Sequence, residues 1–197
     1  MNSTKENTVR KEIQRIKKAL EADKVRWGGH YHDSVGRRYL PPRLFISISD
    51  FSGALDYFRW FNQTFPDDVG SPDFLFEWCI TLFMNNMDRE AERMAFRTFS
   101  SNIYLFDAFF GRNISEKNIW HSSNDSKIKF ATDYFDYSSK QDNLVTFSKW
   151  LDAFTQSGVF IKSSNLYIEL YGKLLAEGEV SIRSRILKQV DKLENEF

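Results

Sequence analysis

The stretch SDFSGALDYFRWFNQTFPDD, residues 49–68, decides the fold class of this chain. Its apolar residues recur at steps of one, three and four: Ala54, Leu55, Phe58, Phe61 and Phe65. This spacing predicts an amphipathic α-helix with one apolar face. Asp50 is placed to accept a hydrogen bond at the helix N-terminus, and Pro66 predicts the helix end because proline inside a helix loses a hydrogen bond.

The same spacing recurs along the rest of the chain. Val9, Ile13, Ile16 and Leu20 form the apolar seam of a helix predicted over residues 5–24, which Gly28 and Gly29 end. Alternating apolar and polar runs typical of strands are absent. The sequence therefore predicts an all-α protein of eight to ten helices. The further predicted helices run from Pro41 to about Ile48, from Ser71-Pro72 to Asn85-Asn86, from Asp88 onward, and over residues 103–110, 126–137 and 144–154. Two longer helices are predicted at the end of the chain.

The opening stretch resembles the second helix of a tetratricopeptide repeat. Ala54, Phe58 and Pro66 stand at the spacing of that family's small residue, aromatic residue and closing proline. The small residue lets two antiparallel helices approach closely, and the aromatic ring fills the adjacent gap. A weaker second copy, NMDREAERMAFR, puts Ala91 37 residues after Ala54, against about 34 in the family. The Trp, Leu and Gly signature of the family's first helix is missing before Ala54.

The wider order of motifs is similar to that of a group of bacterial tetratricopeptide-like proteins without an assigned activity. The motifs are RYLPPRLFI, DYFRWFNQTFPDD, SNIYL, IKFATDYF and TFSKWLDAF. This resemblance implies a short solenoid of antiparallel helix pairs and no particular chemistry. Since about three repeats usually make a stable solenoid, two units over residues 35–110 need caps. A capping helix and connector over 1–34 and a helical region over 111–197 are expected to supply them within a single domain.

By this resemblance, the first helix of each unit lines a concave, polar groove that binds a protein or peptide. Its expected residues are Tyr39, Arg43 and Ser47 in one unit and Asp73, Glu77 and Thr81 in the next. Arg43 opposite Asp73 or Glu77 is alternatively a salt bridge between units. The groove lacks the lysines that clamp a terminal carboxylate in chaperone-binding members of the family, so that class of partner is not expected.

Two aromatic residues lie off the apolar stripe of residues 54–65. Tyr57 and Trp60 are three apart on the same helix. Either another part of the fold covers them, or they form an exposed aromatic anchor for a partner.

The charges are balanced overall and uneven locally. Lys plus Arg and Asp plus Glu each number 27. Residues 1–43 hold 11 basic and 5 acidic side chains, whereas residues 44–90 hold 2 and 8. Either the basic segment lies against its acidic neighbour within the fold, or it binds an acidic partner. Nucleic-acid binding is not expected, because the net charge is zero and no aromatic residue is interleaved with the basic ones before Trp27.

The lengths of the apolar runs and the number of cysteines predict the cellular location. The first twenty residues lack the apolar block of a secretory signal, and no run approaches the roughly 18 apolar residues of a membrane span. The single Cys79 cannot form an internal disulfide, which favours a reducing compartment. A cytoplasmic location without membrane insertion is expected.

Candidate catalytic groups are sparse. His30, His32 and Asp33 look like metal ligands, but they sit in a glycine-flanked turn, where Asp33 or Ser34 more readily caps the turn. Cys79 lies among apolar residues and behaves as a small hydrophobe. No phosphate loop, serine elbow or HExxH motif occurs.

We therefore expect a non-catalytic interaction module, an adaptor or a sequestering inhibitor, without cofactor or metal. The alternatives are a homodimeric scaffold assembled through the terminal helices and, last, a metal-dependent enzyme at His30 and His32.

Overall fold

The computed structural model describes residues 3–197 and contains, within that range, ten α-helices and no β-strand. The predicted all-α class is confirmed. Residues 1 and 2 of the predicted capping region lie outside the described residues. The helices are α1 (Ser3–Arg26), α2 (Pro41–Ser47), α3 (Phe51–Thr64), α4 (Pro72–Met84), α5 (Asp88–Ser101), α6 (Leu105–Phe110), α7 (Ile128–Asp133), α8 (Val145–Thr155), α9 (Gly158–Ala176) and α10 (Val180–Glu196).

The ends of α3 and α4 coincide with residues whose side chain or backbone conformation favours a helix end. The Asp50 side chain accepts a hydrogen bond from the Gly53 amide at 2.9 Å and caps α3. Pro72 occupies the first turn of α4, where the missing N–H costs nothing. Asn86, with φ 58°, takes the left-handed conformation that ends α4 before α5 begins. These boundaries confirm the predicted starts and ends of α3 and α4.

One predicted helix is shorter than expected. The stripe over 126–137 predicted a helix of that length, yet α7 ends at Asp133. Residues 135–138 have no regular secondary structure, and the rings of Phe135 and Tyr137 both contact the Phe76 ring, at 5.0 and 5.6 Å between centroids. Side chains two residues apart share a side in an extended chain but diverge in a helix. Contact with Phe76 therefore favours the extended form.

The helices are arranged around α4. Helix α5 forms an extensive hairpin with α4, and α2, α3 and α8 also pack on α4. Helix α1 covers α2 at one end, while α9 packs on α5 and α10 on α9 at the other. The predicted helix pairs capped by N- and C-terminal helices are thus confirmed. No helix in the described part combines the length and apolarity needed to cross a bilayer.

Helix α4 is buried over most of its circumference. Its buried residues are Pro72, Phe74, Leu75, Phe76, Glu77, Cys79, Ile80, Thr81 and Leu82, whereas Asp73 and Trp78 are partly exposed. A helix buried on most sides belongs in a core rather than on a surface. Trp78 packs against both hydrophobic clusters of the protein, one formed by α1–α4 and one by α4–α10. Its ring stacks on that of Phe58 at 4.7 Å.

Close approach between α2 and α3 depends on Gly53. A Cβ atom at this position would lie 2.7 Å from the Phe45 ring and 2.8 Å from the Asp50 carboxylate. The neighbouring Ala54 is fully buried. The two small residues, rather than Ala54 alone, let α3 pack closely on its neighbours.

We expect Gly53→Ala to lower the free energy of unfolding by about 1–3 kcal/mol, because overpacking and a disturbed cap outweigh the gain in helix propensity. Gly172→Ala in α9 is the control, since its Cβ would meet only the Asn118 carbonyl at 3.9 Å. That change should raise the free energy of unfolding by up to about 1 kcal/mol. Urea unfolding measures both, and a stabilised Gly53→Ala variant would contradict the close approach.

Candidate binding site

Three of the six predicted groove residues meet in the structure. The Arg43 guanidinium lies between α2 and α4, with Nη2 3.0 Å from Asp73 Oδ2 and Nε 3.2 Å from Glu77 Oε1. Asp136 is a third carboxylate partner, at 3.7 Å. The salt bridge between the two helix pairs, one of the two alternatives for Arg43, is therefore present.

The other three groove residues serve local structure. The Tyr39 hydroxyl donates to the Asp68 carboxylate at 2.6 Å, beside the Arg38 guanidinium. Ser47 is exposed and donates to the Leu44 carbonyl at 2.7 Å. Thr81 is fully buried and donates to the backbone carbonyl of Glu77 at 2.8 Å. Ser47 and Arg43 line an open cleft together with Asp136, Tyr137 and Asn143.

The chain itself partly fills the polar groove expected along α2 and α4, and Arg43 and Ser47 line the cleft of about 640 Å³ that stays open. Residues 135–147, here called the covering segment, lie across this face of α4. Phe135, Tyr137 and Phe147 contact the Phe76 ring. The Asn143 amide donates to the Ile46 carbonyl at 2.9 Å. This face of α4 carries Phe76, so burial of its apolar surface favours coverage.

The proposed aromatic anchor is packed inside the fold. Tyr57 is 2% exposed, and its hydroxyl donates to the Arg38 carbonyl at 2.8 Å. Trp60 is partly buried, with the rings of Tyr31 and Phe65 edge-on at 6.1 and 5.8 Å. The packing alternative therefore describes both residues. Part of their cover comes from Tyr31 in the connector after α1.

The histidine turn is held by capping and stacking contacts. The His32 ring stacks on Trp27 at 4.7 Å. The Asp33 carboxylate accepts from the backbone amides of Arg37 and Arg38 at 2.9 and 2.8 Å, which is the capping role expected for it. Across residues 3–197 no group of three His, Cys, Asp or Glu side chains is arranged to hold a metal ion.

The only cysteine lies deep in the core. Cys79 is fully buried and its thiol contacts the Ala91 carbonyl at 3.4 Å. Burial raises the pKa of this thiol well above its ordinary value. The thiolate form is disfavoured, so Cys79 acts as a small core residue.

Part of the basic N-terminal segment is neutralised by the acidic segment that follows it. Arg10 contacts Asp50 at 2.6 Å, Arg38 contacts Asp68 at 2.7 Å, and Arg43 contacts Asp73. For these three arginines, the interpretation of the charge asymmetry as packing within the fold is correct.

A large open cleft lies away from the predicted groove. It has a volume of about 1090 Å³ and is bounded by α4 and α5 on one side and by α9, α10 and the 122–125 loop on the other. Its lining includes large aromatic and charged side chains: Trp78, Arg93, Arg97, Tyr171, Glu194 and Phe197.

Two arginines of this cleft form no close ion pair within the described chain, although the charge of Arg97 acts on the Glu194 carboxyl and opposes the rise of its pKa that burial causes. Arg93 and Arg97 lie one turn apart on the exposed face of α5, and neither forms an ion pair with any described residue. The guanidinium of Arg97 donates only to the Val69 carbonyl, at 3.3 Å. Both side chains can therefore bind an external carboxylate without breaking a salt bridge.

The opposite side of the cleft is fixed by aromatic stacking. The Tyr167 hydroxyl donates to the Ser100 carbonyl at 2.6 Å, which ties α9 to α5. Tyr171 stacks on Tyr167 at 4.3 Å and on Trp120 at 5.9 Å. The Phe197 ring stacks on Phe96 at 4.4 Å. A preorganised surface loses little conformational entropy when it binds a partner.

One half of this cleft carried a signal in the sequence. Arg93 and Arg97 are four residues apart and lie off the stripe of Ala91, Ala95 and Thr98 in α5. Helical spacing alone places them on the solvent side as a pair. The contribution of Glu194 and Phe197 depends on how α10 docks, and residue spacing holds no information on that.

Comparison with protein-family models, curated proteins and solved structures gives no match to this chain. The tetratricopeptide resemblance therefore stays a prediction. The function of the chain has to be inferred from its own geometry.

A buried carboxylate lies beneath the covering segment. Glu77 is 1% exposed, and its Oε1 accepts from the Tyr137 hydroxyl at 2.9 Å and from Arg43. Its Oε2 has no hydrogen-bond partner. Burial, assisted by the negative charge of Asp73, raises the pKa of Glu77 to about 8, although Arg43 and Tyr137 oppose the rise.

The raised pKa of Glu77 predicts a pH-dependent stability. Between the unfolded pKa of about 4.5 and the folded pKa of about 8, the folded state keeps a proton that the unfolded state releases. The contribution of Glu77 to stability is thus complete below that window and falls as pH rises, by up to about 1.4 kcal/mol per pH unit.

We expect Glu77→Gln to remove this slope and to be more stable than the wild type at pH 8. Glutamine keeps an acceptor for Tyr137 without a charge to desolvate. The control is Glu169→Gln on the exposed surface of α9. Urea unfolding at several pH values measures the difference, and identical slopes for the wild type and Glu77→Gln would contradict the raised pKa.

Proposed function

We propose that the protein is a non-catalytic interaction module that binds a peptide segment of another protein in the cleft between α4–α5 and α9–α10. The observation that carries this proposal is the concentration of Trp78, Arg93, Arg97 and Tyr171 around one open cleft of about 1090 Å³. Trp, Tyr and Arg are the residue types that supply most binding energy in protein interfaces.

The chemistry of the cleft favours a segment with an acidic side chain next to an apolar one. Arg93 and Arg97 offer two guanidinium groups from one helix without a close ion pair to a described residue. The carboxylates that line other parts of the cleft are those of Glu90, Asp125 and Glu194. Trp78 and Phe197 offer apolar surface in the same cleft. Charge-assisted hydrogen bonds to a carboxylate fix orientation, and burial of an apolar side chain adds affinity.

Three of the groups considered for chemistry make structural contacts, which supports a binding role. The Cys79 thiol is buried against α5, the His32 ring stacks on Trp27, and Asp33 caps a turn. Each would have to leave its present contact to act on a substrate. An adaptor or sequestering inhibitor needs only a fixed surface.

The tetratricopeptide-like assignment belongs to the same proposal. Helices α2–α3 and α4–α5 would be the two divergent units, and the burial of Ala54, Phe58 and Ala91 supports this assignment. The partner surface would then differ from the one used in the family, since the covering segment fills part of the concave face. A cytoplasmic location, favoured by the single cysteine, is part of the proposal.

Assembly through the terminal helices receives no support. Their apolar seams are used within the chain: Ile13, Ile16 and Leu20 of α1 and Ile186 and Val190 of α10 are buried. Pairing those seams between two chains would require both helices to leave the fold.

A displayed peptide library panned against the protein tests the proposal. We expect enriched peptides that combine acidic and apolar residues, and Arg93→Glu with Arg97→Glu should weaken their binding at least about tenfold, because two attractive contacts become repulsive. The control is Arg89→Glu with Arg185→Glu, two exposed arginines outside the cleft. No enrichment, or equal weakening in both double variants, would contradict the cleft as the site.

A further inference from the structure

A second surface of the molecule carries charge that the fold leaves uncompensated. Helix α1 packs on α2 and the 37–39 turn through Ile13, Ile16 and Leu20. On its outer face, Asn7, Lys11, Gln14 and Lys18 succeed one another at steps of four, three and four. These four residues, here called the outer seam, therefore lie in line along the solvent side of α1.

The outer seam lies within a shallow depression without carboxylates. The depression measures about 560 Å³, and its lining is Asn7, Arg10, Lys11, Gln14, Arg15 and Lys18. Arg10 is paired with Glu6 and Asp50, and Arg15 with Glu12. Lys11 and Lys18 are exposed and form no ion pair with any residue among 3–197. The free positive charge of this face thus lies on Lys11 and Lys18.

We propose that the outer seam of α1 docks an acidic helix of a partner protein. Lys11 and Lys18 stand seven residues apart, two turns along one side of α1. A partner helix with glutamates one heptad apart can meet both lysines. The seam continues at the same steps through Ala22 to Val25, which is 80% exposed, so an apolar residue of the partner fits at that end.

The charges on this face separate this partner from the other candidates. A second copy of α1 would place lysine against lysine, which is repulsive. A nucleic acid would meet Glu6 and Glu12 beside the cations, on a chain of zero net charge. A membrane surface would meet a seam that is polar from Asn7 to Lys18, with no apolar side chain to insert.

The test uses the full chain and a designed three-heptad helix with one glutamate per heptad on one face. Its isomer has the same composition with the glutamates spread around the helix. Fluorescence anisotropy at low and at physiological salt measures the affinities. We expect the first peptide to bind more tightly than its isomer, and Lys11→Glu with Lys18→Glu to weaken binding about tenfold.

The control is Lys149→Glu with Lys188→Glu, two exposed lysines on α8 and α10, which should bind as the wild type does. Circular dichroism verifies that both double variants fold. Equal binding of the two peptides, or equal loss in the two variants, would overturn the proposal. So would tighter binding to phosphatidylserine–phosphatidylcholine vesicles or to duplex DNA than to the peptide. The outer seam shares no residue with the α5 cleft. The binding proposals for the two surfaces can therefore be disproved independently of each other.

Discussion

The enclosure of α4 is the constraint on which the rest of the structure depends. This helix presents apolar side chains around most of its circumference, so most sides left in water would expose large aromatic groups such as Phe74, Phe76 or Phe83. Burial of one such side chain contributes about 1.5–3 kcal/mol. The neighbouring elements α2, α3, α5, α8 and the covering segment each bury one side of α4. The arrangement of helix pairs, caps and covering segment follows from that need.

Glu77 is the exception within this apolar helix, and it fixes how the covering segment lies. An isolated buried carboxylate is costly unless it is hydrogen-bonded. Tyr137 and Arg43 both donate to the same Glu77 oxygen, from the covering segment and from α2. The two contacts orient both elements on α4. They also bring three predicted groove residues, Arg43, Asp73 and Glu77, together beside the covering segment.

The parts of the fold that could be predicted from sequence are those set by neighbours along the chain. Asp50, Pro72 and Asn86 act within a few residues of themselves, so their spacing predicts the ends of α3 and α4. The covering of the predicted groove by residues 135–147 could not be predicted, because the contact between Tyr137 and Glu77 joins residues 60 apart in the chain. The end of α7 depends likewise on contacts with Phe76. The spacing of Arg93 and Arg97 predicts that both lie on the solvent side of α5. The contribution of α10 to the cleft could not be predicted from residue spacing.

Ion pairing distinguishes the charges that hold the fold together from those of the two proposed surfaces. Arg10, Arg38 and Arg43 are paired within the fold, whereas Arg93, Arg97, Lys11 and Lys18 form no ion pair with a described residue. These four residues lie on two separate surfaces, the α5 cleft and the outer seam of α1. The two proposed surfaces would allow one molecule to bind two partners at once.

The enclosure of α4 is tested most directly by nuclear Overhauser spectroscopy on protein with selectively labelled phenylalanine and tyrosine. Cross-peaks are expected from the Phe76 ring to Tyr137 and Phe147, whose ring centroids lie 5.6 and 5.5 Å away. Absence of these cross-peaks in a sample whose helix content is intact would show that this face of α4 is open, and would contradict the enclosure.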